Sequence, residues 1–297
     1  MTWLKSKKTV AVHSGNFHAD DIFSVALLSL YLKEKVKIIR TRDEAVYGQA
    51  DYVFDIGQVY EPEHKRFDHH QTGGAGNRVN GIPYATFGLL WKEYGESLTG
   101  SKEASDMIDK KLVAPTDADD NAVDICADFT YGVRPYTVSD YIVYRNSICE
   151  EKDRQIVFEE LVEWAKNIVQ MEIKVANKFL IDREKIVTVY NSTTDKRLII
   201  LDEDYEEVQV LADYPEPLFV VRPAPAISAW KVYAVKVKGE KFKNRIDLPV
   251  AWGSKRGVEF AQVTGVADAL YCHHQLYMAI AKSKEGAIKL AQIALEK

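Results

Sequence analysis

Arg66-Phe67-Asp68-His69-His70-Gln71 sets a carboxylate and two adjacent imidazoles directly after a short apolar approach, and the fold follows from how such a stretch must be presented. Successive side chains on a strand point to opposite faces, so three neighbouring ligand-type residues cannot all face one way while the strand continues. A turn at a strand end is where they belong. Carboxylate and neutral imidazole together suit a borderline divalent ion such as Mn²⁺, Fe²⁺, Co²⁺ or Zn²⁺, whereas an all-oxygen set suits Mg²⁺ or Ca²⁺. A charged surface loop can hold the same triplet; the surrounding chain separates the two readings.

Towards the N-terminus, Thr9-Val10-Ala11-Val12 reads as a buried strand that runs into His13-Ser14-Gly15-Asn16-Phe17-His18-Ala19-Asp20-Asp21. Ile22, Val25, Ala26, Leu28 and Leu32 then recur at helical spacing, with Asp20 and Asp21 at the positive end of the helix. Val36–Arg40 and Asp51–Asp55 supply further strands. Strands alternating with helices predict a mostly parallel sheet, and such sheets gather ligands outside the carboxyl ends of their strands. His13, His18, Asp20, Asp55, Asp68, His69 and His70 all follow apolar strand runs.

Beyond the triplet, the glycine-rich stretch 73–81 reads as a flexible loop without the Lys-Ser/Thr ending of a phosphate-binding P-loop; Arg78 is its candidate for a substrate phosphate. A helix is expected from Pro83 to about Leu98, burying Phe87, Leu90, Trp91 and Tyr94, and a second from Ser101 to Val113. In Asp117-Ala118-Asp119-Asp120-Asn121, the first and fourth residues share a helix face. Asp117 is the preferred distant carboxylate for the site, Asp120 its alternative, and Asn121 a candidate substrate contact.

From Thr137 the chain looks helical, and Arg154 to Glu184 is long, amphipathic and free of Gly and Pro. Ile186–Tyr190, Leu198–Leu201, Leu218–Val221 and Trp230–Val235 read as strands, Ala269–His273 and Leu276–Ile280 as a hairpin, and Ser283 caps a closing helix through Glu296. The expected division is a metal-binding catalytic domain over 1–150, a connecting helix over 151–185 and a largely antiparallel substrate-binding domain over 186–297. Arg256, in a glycine-flanked loop, and His273 and His274, at a strand end, are the candidates for phosphate contact there.

The chain has 297 residues, 46% of them apolar, enough for two cored domains. Its net charge of −5 excludes a chain-wide basic field, so a polyanion must be met locally. Three cysteines without CxxC spacing point to a reducing compartment. The N-terminus does not read as a signal peptide, and the apolar stretch Val25–Leu32 is far short of the ~20 residues a membrane helix needs. A cytoplasmic protein is expected.

Two divalent ions bridged by a carboxylate activate a water and hold the entering and leaving oxygens of an in-line displacement, the chemistry of phosphate-ester hydrolysis. Asp55 is the expected bridge. His18, Asp20, His69 and Asp117 divide between the ions, His13 ligates or supports, and Asp68 ligates or orients. His70 is placed to contact a phosphoryl oxygen or protonate the leaving group. No Ser elbow or Cys–base motif suggests a covalent route.

In His13-Ser14-Gly15-Asn16-Phe17-His18-Ala19-Asp20-Asp21, Val53-Phe54-Asp55-Ile56-Gly57, Phe67-Asp68-His69-His70-Gln71 and Asp117-Ala118-Asp119-Asp120-Asn121, the chain resembles the DHH phosphoesterase superfamily. It most resembles the branch named after the melanocyte proliferating gene, also labelled metal-dependent protein hydrolases. Weaker likeness extends to Thr264-Gly265-Val266, Tyr271-Cys272-His273 and the Ser283-Lys284-Glu285-Gly286-Ala287 stretch. The resemblance implies a parallel α/β domain joined to a smaller mixed-sheet domain, a site for two Mn²⁺ (or Mg²⁺, Co²⁺ or Zn²⁺) in the cleft, and 3′-to-5′ exonuclease activity on RNA or short oligonucleotides. The chain departs from the wider superfamily in having His18-x-Asp20 for Asp-x-Asp, and Cys272-His273-His274-Gln275 where many superfamily exonucleases carry a glycine-rich loop. A homodimer is a further expectation. The alternatives are a small-molecule phosphoesterase or pyrophosphatase and a non-catalytic, metal-dependent nucleic-acid-binding module.

Overall fold

The computed structural model describes residues 7–126, 132–205 and 210–296; the first six residues of the N-terminus considered above lie outside them. The chain forms two compact units, Met1–Asn177 and Lys178–Lys297. No helix among the described residues is long and apolar enough to cross a membrane.

The first unit is built on five strands: β1 (Thr9–Val12), β2 (Lys37–Arg40), β3 (Tyr52–Phe54), β4 (Tyr60–Glu61) and β5 (Arg66–Phe67). Their order is β2-β1-β3-β5-β4, parallel except for the β4–β5 pair. β1 reads as an unbroken apolar run because it has a strand on either side and three of its four residues are buried. Helix α1 (Ala19–Leu32) is buried continuously from Ala19 to Ser29, hence its lack of a polar face. α2 is Glu44–Tyr47 and α3 is Thr86–Thr99. α1 packs on α3, Phe23 meeting Phe87 at 5.2 Å between ring centroids. Each such buried ring contributes about 1.5–3 kcal/mol of apolar transfer.

Two boundaries differ from expectation. The helix expected at Pro83 begins at Thr86, because Pro83 pairs with Asn77 in an antiparallel bridge. The next helix, α4 (Lys102–Ile108), runs on through a π-turn at Asp109–Val113 into α5 (Ala114–Asp120). A π-turn inserts a residue and so rotates the face shown by everything after it. α6 is Val138–Ser147.

Helix α7 (Arg154–Ser192) continues through Ile186–Tyr190, where the sequence predicts a strand. The β-branched run is overridden by packing: Ile186 and Tyr190, one turn apart, are both buried in a cluster with Ile199, Leu201 and Val220. The second unit's sheet has β6 (Leu198–Ile200), β7 (Phe219–Ala224), β8 (Ala229–Ala234), β9 (Ala269–Cys272) and β10 (Met278–Ala281) in the order β6-β7-β8-β10-β9. Among the described residues the β6–β7 pair is parallel and the others are antiparallel. Helices Gly257–Thr264 and Lys284–Leu295 cover one face, and the Ser283 hydroxyl caps the latter by accepting from the Gly286 N–H at 3.0 Å.

Candidate metal centre

The loops leaving β1, β3 and β5 and the end of α5 bring their polar side chains together. His13 follows β1 directly, and its Nε2 lies 3.1 Å from Asp21 Oδ2 and 3.2 Å from Asp55 Oδ2. Asp55 follows β3 with φ of 58°, a left-handed conformation that costs a non-glycine residue energy and that Asp tolerates better than most. That twist leaves Oδ1 of Asp55 3.3 Å from both His69 Nε2 and His70 Nδ1, with the Thr86 hydroxyl donating to it at 3.3 Å. His69 Nε2 also lies 3.0 Å from Asp120 Oδ2, and His18 Nδ1 3.6 Å from Asp120 Oδ1. Both oxygens of Asp68 have partners: Oδ1 accepts from the His70 backbone N–H and stands 2.8 Å from His70 Nδ1, and Oδ2 accepts from the Gln58 N–H.

This crowding moves the titrations strongly. Burial pushes the Asp20 carboxyl well above the usual range, reinforced by Asp55, Asp120 and Asp21. Burial would also raise Asp55, but His13, His69 and His70 outweigh it and hold that carboxylate well below the range. Burial would lower His13 and His69, yet their carboxylate neighbours carry them up to about 10 and about 9. Asp55 and then Asp68 lift His70 to about 10. Charge on the raised imidazoles thus offsets a cluster of buried carboxylates.

Asp20 tests whether a cation fits. It is fully buried and, among the described residues, no donor reaches either of its oxygens, its polar neighbour Asp120 being another acid, an arrangement that proteins rarely leave uncompensated. His13, His18 and Asp55 form one set whose candidate ligand atoms lie within 4.8 Å of each other; Asp55, His69 and His70 form a second, and His18, Asp20 and Asp120 a third. The sets share Asp55 and His18, the donors are imidazole nitrogen and carboxylate oxygen, and a divalent metal ion fits them.

The structure diverts three expected residues. Asp117 is paired with Arg78, Nη1 to Oδ2 at 2.7 Å, and accepts from the Gly88 N–H at 3.0 Å. It thereby satisfies one of the orphan donors in the first turn of α3, and Asp120 reaches the cluster in its place. Arg78 is not open to a phosphate: its side chain is 7% exposed, held by Asp109 and Asp117 and lying 4.4 Å from the Tyr84 ring. Asn121 turns its amide back onto the Asp117 carbonyl at 2.8 Å. Arg256, His273 and His274 belong to the second unit, Arg256 lying over the Tyr271 ring and the two imidazoles 4.3 Å apart.

Sequence reasoning overlooked Asp21 and Arg42. Asp21 is buried against His13 and accepts from the His18 N–H at 3.1 Å; its place one residue after Asp20 in a helix's first turn was the available signal. Arg42 lies two residues beyond β2 and, with His13, His18, Tyr47, Gln58 and His70, lines a depression of about 420 Å³ above the cluster. Its Nε donates to the Ser14 carbonyl at 3.2 Å.

Residues 9–295 match the family model MYG1_exonuc, an uncharacterised protein family (UPF0160). The chain is 27% identical to the MYG1 protein of Dictyostelium discoideum, covering 96% of both chains. It is 26% identical to the MYG1 protein of Chlamydia trachomatis serovar D, covering 97% of both. With a human protein named MYG1 exonuclease it shares 25% identity over 98% of this chain and 87% of the relative.

Proposed function

The chain belongs to the uncharacterised protein family UPF0160, and on that premise we propose that it is a divalent-metal-dependent phosphodiesterase that removes nucleotides from the 3′ end of RNA or short oligonucleotides. The observation that carries this reading is Asp20, buried where no donor among the described residues reaches its oxygens, with Asp21, Asp55, Asp120 and four imidazoles in the same cluster. The name exonuclease on relatives matching nearly the whole chain supports the substrate class.

In this proposal Asp20, Asp55, Asp120, His13, His18 and His69 hold the metal, two Mn²⁺ being the preferred occupants. Bound ions of this kind supply Lewis acidity and a water of lowered pKa. The protein's own groups do the rest. His13, His69 and His70 keep Asp55 ionised, so its carboxylate remains available to a cation at any physiological pH. His70, half exposed and fixed through Nδ1 by Asp68, presents its other nitrogen to the depression and donates a proton to the leaving oxygen. Arg42 at the rim offers a guanidinium to the phosphate. Segment 1–150 is the catalytic part and 186–297 the part that contacts substrate, through Arg256, His273 and His274.

The test is incubation of metal-stripped protein with Mn²⁺, Mg²⁺ or Zn²⁺ and RNA labelled at one end or the other, single-stranded DNA, dinucleotides and pyrophosphate. Stepwise shortening of 5′-labelled RNA, absent without metal, is the expected result. Release from dinucleotides or pyrophosphate alone would instead identify a small-molecule phosphoesterase.

A further inference from the structure

The second unit's sheet has a covered face and a partly open one. Val221, Val232, Cys272 and Ala279 point into the core beneath the helices. On the alternate positions Tyr233 pairs with Met278, Lys231 with Ile280, and Ile280 with Tyr271, and all five remain partly exposed. Rings run together along this face: Tyr233 and Tyr277 stack at 6.3 Å and 27°, His273 lies 4.5 Å from Tyr277, and Tyr271 lies 6.4 Å from His273. Cations are interleaved with them. Lys231 Nζ is 6.0 Å from the Tyr233 ring, Lys236 Nζ 5.1 Å from Tyr277, and the Arg256 guanidinium 5.0 Å from Tyr271. Beside Tyr277 opens a depression of about 820 Å³ whose lining includes Lys236, Lys241, Lys243 and Phe242, the last a residue 85% exposed. Asp247 is the acid in that lining, and it accepts from the Asn244 amide at 2.6 Å.

A chain of net charge −5 has here a local surplus of cations set between flat rings. Alternating π-faces and positive charge match a ligand with alternating bases and phosphates, and unpaired bases are the ones whose faces are free to stack. We propose that this face is a single-stranded nucleic-acid platform: bases stack on Tyr233, Tyr277 and His273, and Lys231, Lys236, Lys241 and Arg256 hold the phosphates. The proposal rests on the reading that the protein acts on nucleic acid, and it adds where the strand is held and by what contacts.

The experiment is fluorescence anisotropy of a labelled twelve-residue oligouridylate with the full chain, at low salt and in EDTA so that no cleavage intervenes. Tyr277→Ala should weaken binding about tenfold, the loss of one stacked base, and Tyr277→Phe should restore it. Lys236→Gln with Lys241→Gln should weaken binding and flatten the salt dependence by about 1.4 in log–log slope, two phosphate contacts on a single strand. Circular dichroism melts establish that the variants fold. Unchanged affinity in both the Tyr277→Ala and the lysine variants overturns the platform, as does tighter binding to duplex than to single-stranded RNA. Because binding is read without metal, a protein that binds in this way and hydrolyses nothing overturns the nuclease reading alone. One that hydrolyses RNA and binds it equally in every variant overturns the platform alone.

Discussion

Oδ2 of Asp120 lies 3.0 Å from Nε2 of His69, although Asp117, three residues earlier in α5, gives its own carboxylate to Arg78 and the first turn of α3. One short helix divides two identical side chains between a candidate ligand set and a structural ion pair.

The division is testable by a pair of substitutions. Asp120→Asn should lower Mn²⁺ affinity, read by titration calorimetry, at least tenfold and, at about pH 9.5 where His69 has lost most of its proton, leave the urea midpoint nearly unchanged. Asp117→Asn should do the reverse: the buried Arg78 keeps Asp109 but loses its second carboxylate, at a cost of about 1–3 kcal/mol. Loss of Mn²⁺ binding in Asp117→Asn with stability intact would return the ligand role to Asp117.

Asp20→Asn separates stability from function. The buried carboxyl has its titration raised in the folded protein, so its contribution to stability is complete below the unfolded value near 3.9 and is lost as pH rises. The amide does not titrate. The metal-free variant should therefore melt higher than the metal-free parent at pH 8, by an amount that grows with pH, and should fail to bind Mn²⁺. Equal melting of the two across pH 5–9 would contradict this account of Asp20.

Metal binding should release protons. His13 is raised to about 10 and His69 to about 9 in the metal-free protein, and a cation that takes them as ligands must displace the protons they hold. Mn²⁺ affinity should rise steadily from pH 6 to 9, with calorimetric heats that scale with the ionisation enthalpy of the buffer. The same shifts give the metal-free stability its sign: imidazolium–carboxylate attraction is fully present below about pH 6.5 and fades as pH climbs through 9 to 10. Buffer-independent heats would show that those imidazoles are already neutral.

Gly88→Ala probes the scaffold beneath the centre. A Cβ there would sit 1.7 Å from Asp117 Oδ2 and 2.8 Å from an Arg78 guanidinium nitrogen. The ion pair has to move, at a cost of about 1–3 kcal/mol or more, read as a lower urea midpoint. A midpoint within error of the parent would mean that Arg78 and Asp117 separate freely.

Much of the first unit was legible from local pattern. β1, its polar loop and α1 follow from an apolar run, a loop of His and Asp, and a helical repeat; Asp68-His69-His70 had to sit at a strand end because alternation forbids them a strand. The errors arose where neighbours distant in sequence outvote local preference. Ile186–Tyr190 has the composition of a strand, but burial of Ile186 and Tyr190 against Ile199, Leu201 and Val220 keeps it in α7. Arg78 stands in a glycine-rich loop that looks poised for phosphate, and only the fold brings Asp109 and Asp117 beside it.

By itself the sequence determined which residue types crowd the carboxyl ends of the first unit's strands, since a parallel sheet sends every such loop to one edge. Tertiary structure alone decided which of those side chains meet. Residues three apart on a helix differ by about 60° in direction, and the π-turn at Asp109–Val113 sets where that difference falls. Asp117 is thereby aimed at Arg78 and Asp120 at His69, a choice made by helix rotation against neighbours that no local pattern encodes.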